Sequence, residues 1–185
     1  MINKTCIVIL IAFFNIAAQL SFGIYCSPSL QIPLKNDNWE AVSCFGGSLR
    51  CPTGTEKMTI NFSVDYGKLH SDILNIDKKM LNLEVSCGYE LLKPSDYFSV
   101  EALISLLGWA IKEQDLQSIE NASIIASWEN EYGLAAGAAL VFHPWKKINL
   151  ILPVKAGAIF TSPEYFYLAS VGLKLGYQFS VGKKQ

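Results

Sequence analysis

The chain is poor in the residues most catalytic and metal sites need. It has only two histidines, His70 and His143, and neither lies near a cysteine pair. The usual spacings of a zinc site are therefore excluded. There is no basic block and the net charge is −1, so nucleic-acid binding has no support. No Walker-type loop, dinucleotide fingerprint or nucleophile elbow is present, and no cofactor is expected. Beyond the N-terminus, no apolar run reaches the roughly 20 residues of a membrane helix. Yet 51% of the residues are hydrophobic. That hydrophobicity must be spread through short segments.

What is there begins with an export signal. Lys4 supplies a positive start, and Cys6 to Leu20 is an apolar run interrupted by Asn15. Ser21 and Gly23 are small residues at the −3 and −1 positions of a cleavage site, so residues 1–23 read as a signal peptide and 24–185 as the mature domain. Cys26 is not a lipidation site on this reading, because Tyr25 stands where a lipobox needs a small residue.

The end of the chain is the most telling stretch. From Tyr165 to Val181 one face carries Tyr165, Tyr167, Ala169, Val171, Leu173, Leu175, Tyr177, Phe179 and Val181. The other carries Phe166, Leu168, Ser170, Gly172, Lys174, Gly176, Gln178 and Ser180. A period of two means a strand with one apolar and one mostly polar face. Tyr167 and Tyr177 stand about 33 Å apart along such a strand. At a tilt of about 40° that projects to about 25 Å, the height of the apolar band of a membrane barrel. Tyr165, Tyr167, Tyr177 and Phe179 are the expected interface aromatics.

The same phase recurs upstream. Strands are predicted at Ile148–Phe160, Tyr132–Phe142, Phe98–Leu106, Leu81–Leu91 and Ile60–Tyr66, with weaker ones at Trp39–Phe45 and Ile24–Ile32. About eight strands result. Three connections are short or carry turn residues: 50–57, 92–96 and 143–147. The alternate ones at 68–78 and 112–130 are longer and polar, while 161–164 is a short exception. Short turns on one side and long loops on the other are the habit of bacterial barrels.

The inward faces place Asp65, Glu84, Glu90, Glu101, Lys155 and Lys174 in the lumen. Eight strands leave a lumen that side chains fill. Unpaired charge there is costly, so Glu84 and Glu101 are expected to pair with Lys155 and Lys174. The rival is an open polar pore. His143, before Pro144 and Trp145, reads as a turn residue: an acyl-hydrolase barrel would want a serine nearby, and the deacylase pattern is absent. Four mature cysteines remain, Cys26, Cys44, Cys51 and Cys87, and three connectivities are open. Cys44 and Cys51 are predicted to flank one turn and are the candidate disulfide. Cys87 reads as a free thiol.

Lys174, Gly176, Phe179 and Val181 resemble the C-terminal insertion signal of bacterial outer-membrane proteins, polar-x-Gly-x-x-hydrophobic-x-hydrophobic. Val181 replaces the usual terminal aromatic, and four residues follow it. In its pattern the mature chain resembles the small outer-membrane barrels of the OmpA-domain, OmpX and OmpW type. That resemblance implies an all-β, antiparallel up-and-down transmembrane β-barrel of about eight strands in the bacterial outer membrane. Its partners would be outer-membrane lipids, the barrel-assembly machinery during insertion, and an extracellular ligand at the loops. The leading expectation is a non-enzymatic barrel with surface-exposed loops. A narrow channel for small or hydrophobic solutes is the first alternative. A secreted lipocalin-like barrel is the second, and it would turn the apolar face inward around a ligand.

Overall fold

The computed structural model describes residues 21–34, 40–53, 55, 57–71, 76–113, 128–161 and 165–180. Its strands are β1 (Ser21–Cys26), β2 (Ser29–Leu34), β3 (Val42–Pro52), β4 (Met58–Ser71), β5 (Ile76–Ser95), β6 (Phe98–Glu113), β7 (Trp128–Trp145), β8 (Ile148–Phe160), β9 (Tyr165–Gly172) and β10 (Lys174–Ser180). All pairings are antiparallel.

The ten segments form a ring of eight. β1 and β2 pair with the same neighbours in one continuous register, as do β9 and β10. Cys26 stands opposite Leu175, and Ser29 opposite Gly172, in one unbroken ladder. The first strand is therefore β1 plus β2, the last is β9 plus β10, and their pairing closes the barrel.

Proline explains the interruptions. Leu173 N–H donates to Pro28 C=O at 2.9 Å. An antiparallel hydrogen-bonded pair normally exchanges two bonds, but Pro28 has no N–H to return. On the other side of the last strand, the ladder with β8 skips the positions around Pro153. The seam is thus held by long ladders with one thin place, midway between Tyr167 and Tyr177.

The alternation places apolar side chains outside. Ile104 and Tyr132 are 68% and 69% exposed, whereas Ser105 between Ile104 and Leu106 is fully buried. Ile24, Phe45, Phe62, Leu83, Leu134, Val154 and Leu175 also face out. This is a sheet turned inside out relative to a soluble barrel, and it contradicts the lipocalin-like alternative, which needs that face inside.

Aromatic rings gather at both ends of the outer band. Phe160, Tyr165 and Tyr167 touch at one end, with centroids 5.9 and 6.4 Å apart. At the other end Phe22 stacks on Phe179 at 5.1 Å, and Tyr177 meets Phe179 at 4.9 Å. All four expected interface aromatics face outward.

Two sequence expectations change. β3 runs on to Pro52, so the turn begins at Thr53, whose N–H bonds Met58 C=O at 2.9 Å. Cys44 and Cys51 therefore share one strand, roughly 23 Å apart at about 3.3 Å per residue. An odd separation puts them on opposite faces, and a disulfide needs Cα atoms within about 7 Å. Both thiols are free, as are those of Cys26 and Cys87. Second, the long strands overrun their expected ends: β6 continues from Leu106 to Glu113, and β5 spans Ile76–Ser95. Trp39 and Val181 lie outside the described residues.

The interior is crowded enough to demand glycine. A Cβ on Gly137 would sit 2.0 Å from Val154 C=O and 2.7 Å from Lys155 Cα. Gly47 faces outward, with its nearest obstacle at 3.6 Å. Gly137→Ala should cost about 1–3 kcal/mol through forced backbone movement. Gly47→Ala should be neutral or stabilise by up to about 1 kcal/mol. Urea unfolding in lipid vesicles checks this, and equal effects at both sites would contradict the packing described.

Candidate functional site

The lumen is built in layers. Towards the loop end, where β2, β4, β6 and β8 finish, Val42, Cys44, Leu69, Met80, Leu107, Trp109, Ala135, Ile159 and Leu168 form a buried apolar cluster. The Trp109 and Phe166 rings meet there at 5.4 Å. Near the turn end, Tyr25, Leu103, Ala139, Val141 and Ile151 form a second cluster. The charged layer lies between them.

That layer joins strands around the whole ring. Glu84 on β5 pairs with Lys155 on β8 and accepts a hydrogen bond from Ser105 Oγ at 2.8 Å. Gly137 makes room for the Lys155 side chain to lie against β7. Lys174 Nζ donates to Ser63 Oγ at 2.8 Å. Asp65 Oδ1 accepts from Ser27 Oγ at 3.0 Å. Glu101 pairs with Arg50. Three carboxylates (Asp65, Glu84, Glu101) thus balance three cations (Arg50, Lys155, Lys174), which a narrow low-dielectric space requires.

Glu84 takes Lys155, as expected, but Glu101 takes Arg50 rather than Lys174. Arg50 was missed because Pro52 made its neighbourhood look like a turn. The signal was present: Arg50 continues the inward phase of Val42, Cys44, Gly46 and Ser48. Its position has a reason. Glu90 and Glu101 stand directly opposite one another on β5 and β6, and like charges so placed repel. A cation beside Glu101 relieves that repulsion. Glu90 itself is half-buried nearer the turns, where its N–H bonds Lys57 C=O at 2.8 Å.

His143 is not in a turn. It ends the inward phase of β7, and its Nδ1 meets Asn149 Oδ1 at 2.7 Å. Asn149 Nδ2 donates to Tyr25 Oη and Gln178 Oε1, both at 3.0 Å. This network closes the turn end. Of the insertion-signal residues, Lys174 points inward and Phe179 outward. Gly176 has a packing role as well, since a Cβ there would lie 2.3 Å from the Tyr25 ring.

What room is left is small. Asp65, Asn82, Glu84, Lys155 and Lys174 border a cavity with about 30 Å³ of room for water centres. One water takes about 10–15 Å³ by that measure, so two or three fit. A second space, beside Arg50, Asn61 and Ser86, has about 10 Å³. Neither is a conduit.

The Glu84–Lys155 pair yields a direct test. Lys155→Met should lower stability by about 3 kcal/mol or more, because Glu84 is left charged and alone. The Glu84→Gln/Lys155→Met double variant should recover part of that loss. Unfolding midpoints of the two single variants and the double measure the coupling; simple additivity would show that the pair does not interact.

No family model and no curated protein matches this chain. Solved structures match its fold. Neisserial surface protein A aligns over 88% of this chain and 97% of its own, with 12% identity and a TM-score of 0.57. Outer membrane protein W of E. coli aligns over 86% and 97%, with 8% identity and a TM-score of 0.52. Ail, the attachment invasion locus protein of Yersinia pestis, aligns over 86% and 97%, with 17% identity and a TM-score of 0.51. The chain has the fold of small outer-membrane β-barrels.

Proposed function

We propose that this protein is a non-enzymatic barrel of the bacterial outer membrane, exported through residues 1–23, whose loop end meets the cell's surroundings. One observation carries the reading: the outer face is apolar between two aromatic rims, while the lumen is filled and charge-balanced. A barrel so built spans the bilayer without conducting through it. What remains free to contact anything outside is the loop end. The two longest connections, 35–41 and 114–127, are there, together with 72–75 and 161–164; those at the other end are 53–57, 96–97 and 146–147. Adhesion or another contact with a host or the environment is the role this layout supports. The likeness to Ail, an attachment protein by name, agrees with it. The last strand, with Lys174, Gly176, Phe179 and Val181, would be the part the assembly machinery reads. The narrow-channel alternative is weakened by the small cavities.

An epitope inserted within 114–127 should be stained on intact cells expressing the full chain. One inserted at 146–147 should be stained only after permeabilisation. The opposite pattern, or recovery of the protein in a soluble fraction, would refute the reading. In planar bilayers the purified barrel should pass no steady ion current; a reproducible conductance would favour the channel.

The processing site is checked by the mature N-terminus. Cleavage after Gly23 removes Ser21, Phe22 and Gly23, which stand opposite Ser180, Phe179 and Gln178. Mass spectrometry of the membrane form should show a start at Ile24. A start at or before Ser21 would move the site upstream and retain the Phe22–Phe179 stack.

A further inference from the structure

The outer face of β4, β5 and β6 carries no charge over four successive rows. Ile60, Cys87 and Ile104 lie in register, then Phe62, Val85 and Leu106, then Val64, Leu83 and Gly108, then Tyr66, Leu81 and Ala110. The next row, at the loop end, is Lys68, Lys79 and Lys112. Three lysines thus stand side by side on adjacent strands, one step above the loop-end aromatic rim that includes Tyr66 and Tyr132. All three share the lipid-facing phase of their strands.

This arrangement works against the fold when considered alone. Adjacent strands are about 4.8 Å apart, and like charges directly opposite one another destabilise a sheet. Glu113 stands in register opposite Lys78, and Glu129 and Glu131 continue the inward phase of β7. Asp77 stands in register with His70 rather than with a lysine of the row. Among the described residues, no carboxylate is paired with Lys68, Lys79 or Lys112.

Three solvated lysines anchoring at an interface are the plain alternative. That reading accounts for the depth of the row but not for its repulsive register or its confinement to three neighbouring strands. We propose that Lys68, Lys79 and Lys112 form a binding site for the phosphate-bearing headgroup of an outer-leaflet lipid. The headgroup lies at the height of the row, and its phosphate oxygens would bridge ammonium groups that otherwise repel. Lysine suits this as a point-charge partner of phosphate. The inference rests on the loop end facing the outer leaflet. A symmetric bilayer tests the site without that premise, so its failure is separable from failure of the topology.

The test uses the full chain folded in nanodiscs of phosphatidylcholine with a minor fraction of diphosphorylated lipid A. Native mass spectrometry reads the lipid retained on the extracted barrel. A lysine near an anionic surface contributes about fivefold in affinity, so Lys68→Gln/Lys79→Gln/Lys112→Gln should lose about a hundredfold in retention. Lys79→Gln alone, the central position, should lose about fivefold and serves if the triple variant does not fold. Lys146→Gln/Lys147→Gln, at the other rim, should retain lipid A like the unaltered protein. Equal retention by the triple variant would overturn the site. So would equal loss in the Lys146/Lys147 control, or equal retention of phosphatidylglycerol, because either would mean a general anionic contact. Displacement by millimolar inorganic phosphate would identify a free-anion site and overturn the lipid assignment.

Discussion

A bilayer offers no water to a backbone N–H or C=O, so a sheet that crosses it must have no edge. In this chain that requirement falls on one seam, where β1 and β2 meet β10 and β9. Ser21 to Leu34 runs against Tyr167 to Ser180 in a single register. Most other features follow from closure. The apolar residues have to face outward, where the lipid is, and the polar ones inward. Pro28 and Pro153 are tolerable because they flank the same short stretch of the last strand, and Leu173 still donates to Pro28 C=O. With the ladder intact on both sides, the loss is local.

Closure at eight strands also fixes the inside. The lumen is narrow, so each inward side chain needs a partner or an apolar neighbour. The chain answers with layers: apolar at the loop end, charged in the middle, and hydrogen-bonded around Asn149 at the turn end. An unpaired charge in so narrow a space would cost stability. With the lumen filled, the surfaces left open to contact are the connections and the rims.

The alternation that forms the wall was legible in the sequence because a membrane strand must hold its phase over its full length. Every inward and outward residue predicted for Tyr165–Phe179, Ile148–Phe160 and Leu81–Tyr89 takes the expected side. Strand ends were not legible. Pro52 resembled a turn but lies in β3, and that one misjudged boundary hid Arg50 and suggested a Cys44–Cys51 bridge. Beyond Leu106 both faces of β6 are apolar, with Leu107, Trp109 and Ile111 inside and Gly108 and Ala110 outside, so the alternation fades and Trp109 was not recognised as part of the inner cluster. Cross-lumen pairing was only half legible, because the partner of Glu101 depends on shear between strands far apart in sequence. The lysine row was invisible for a related reason: Lys68, Lys79 and Lys112 become neighbours only once the register is known.

The central claim is closure of the first strand on the last. Amide hydrogen exchange on the barrel in lipid nanodiscs tests it most directly. Amides of Ile24–Cys26 and Leu175–Tyr177 should be protected as strongly as those in the middle of the β6–β7 pair. Rapid exchange along that seam, with protection elsewhere, would show an open-edged sheet and contradict the account.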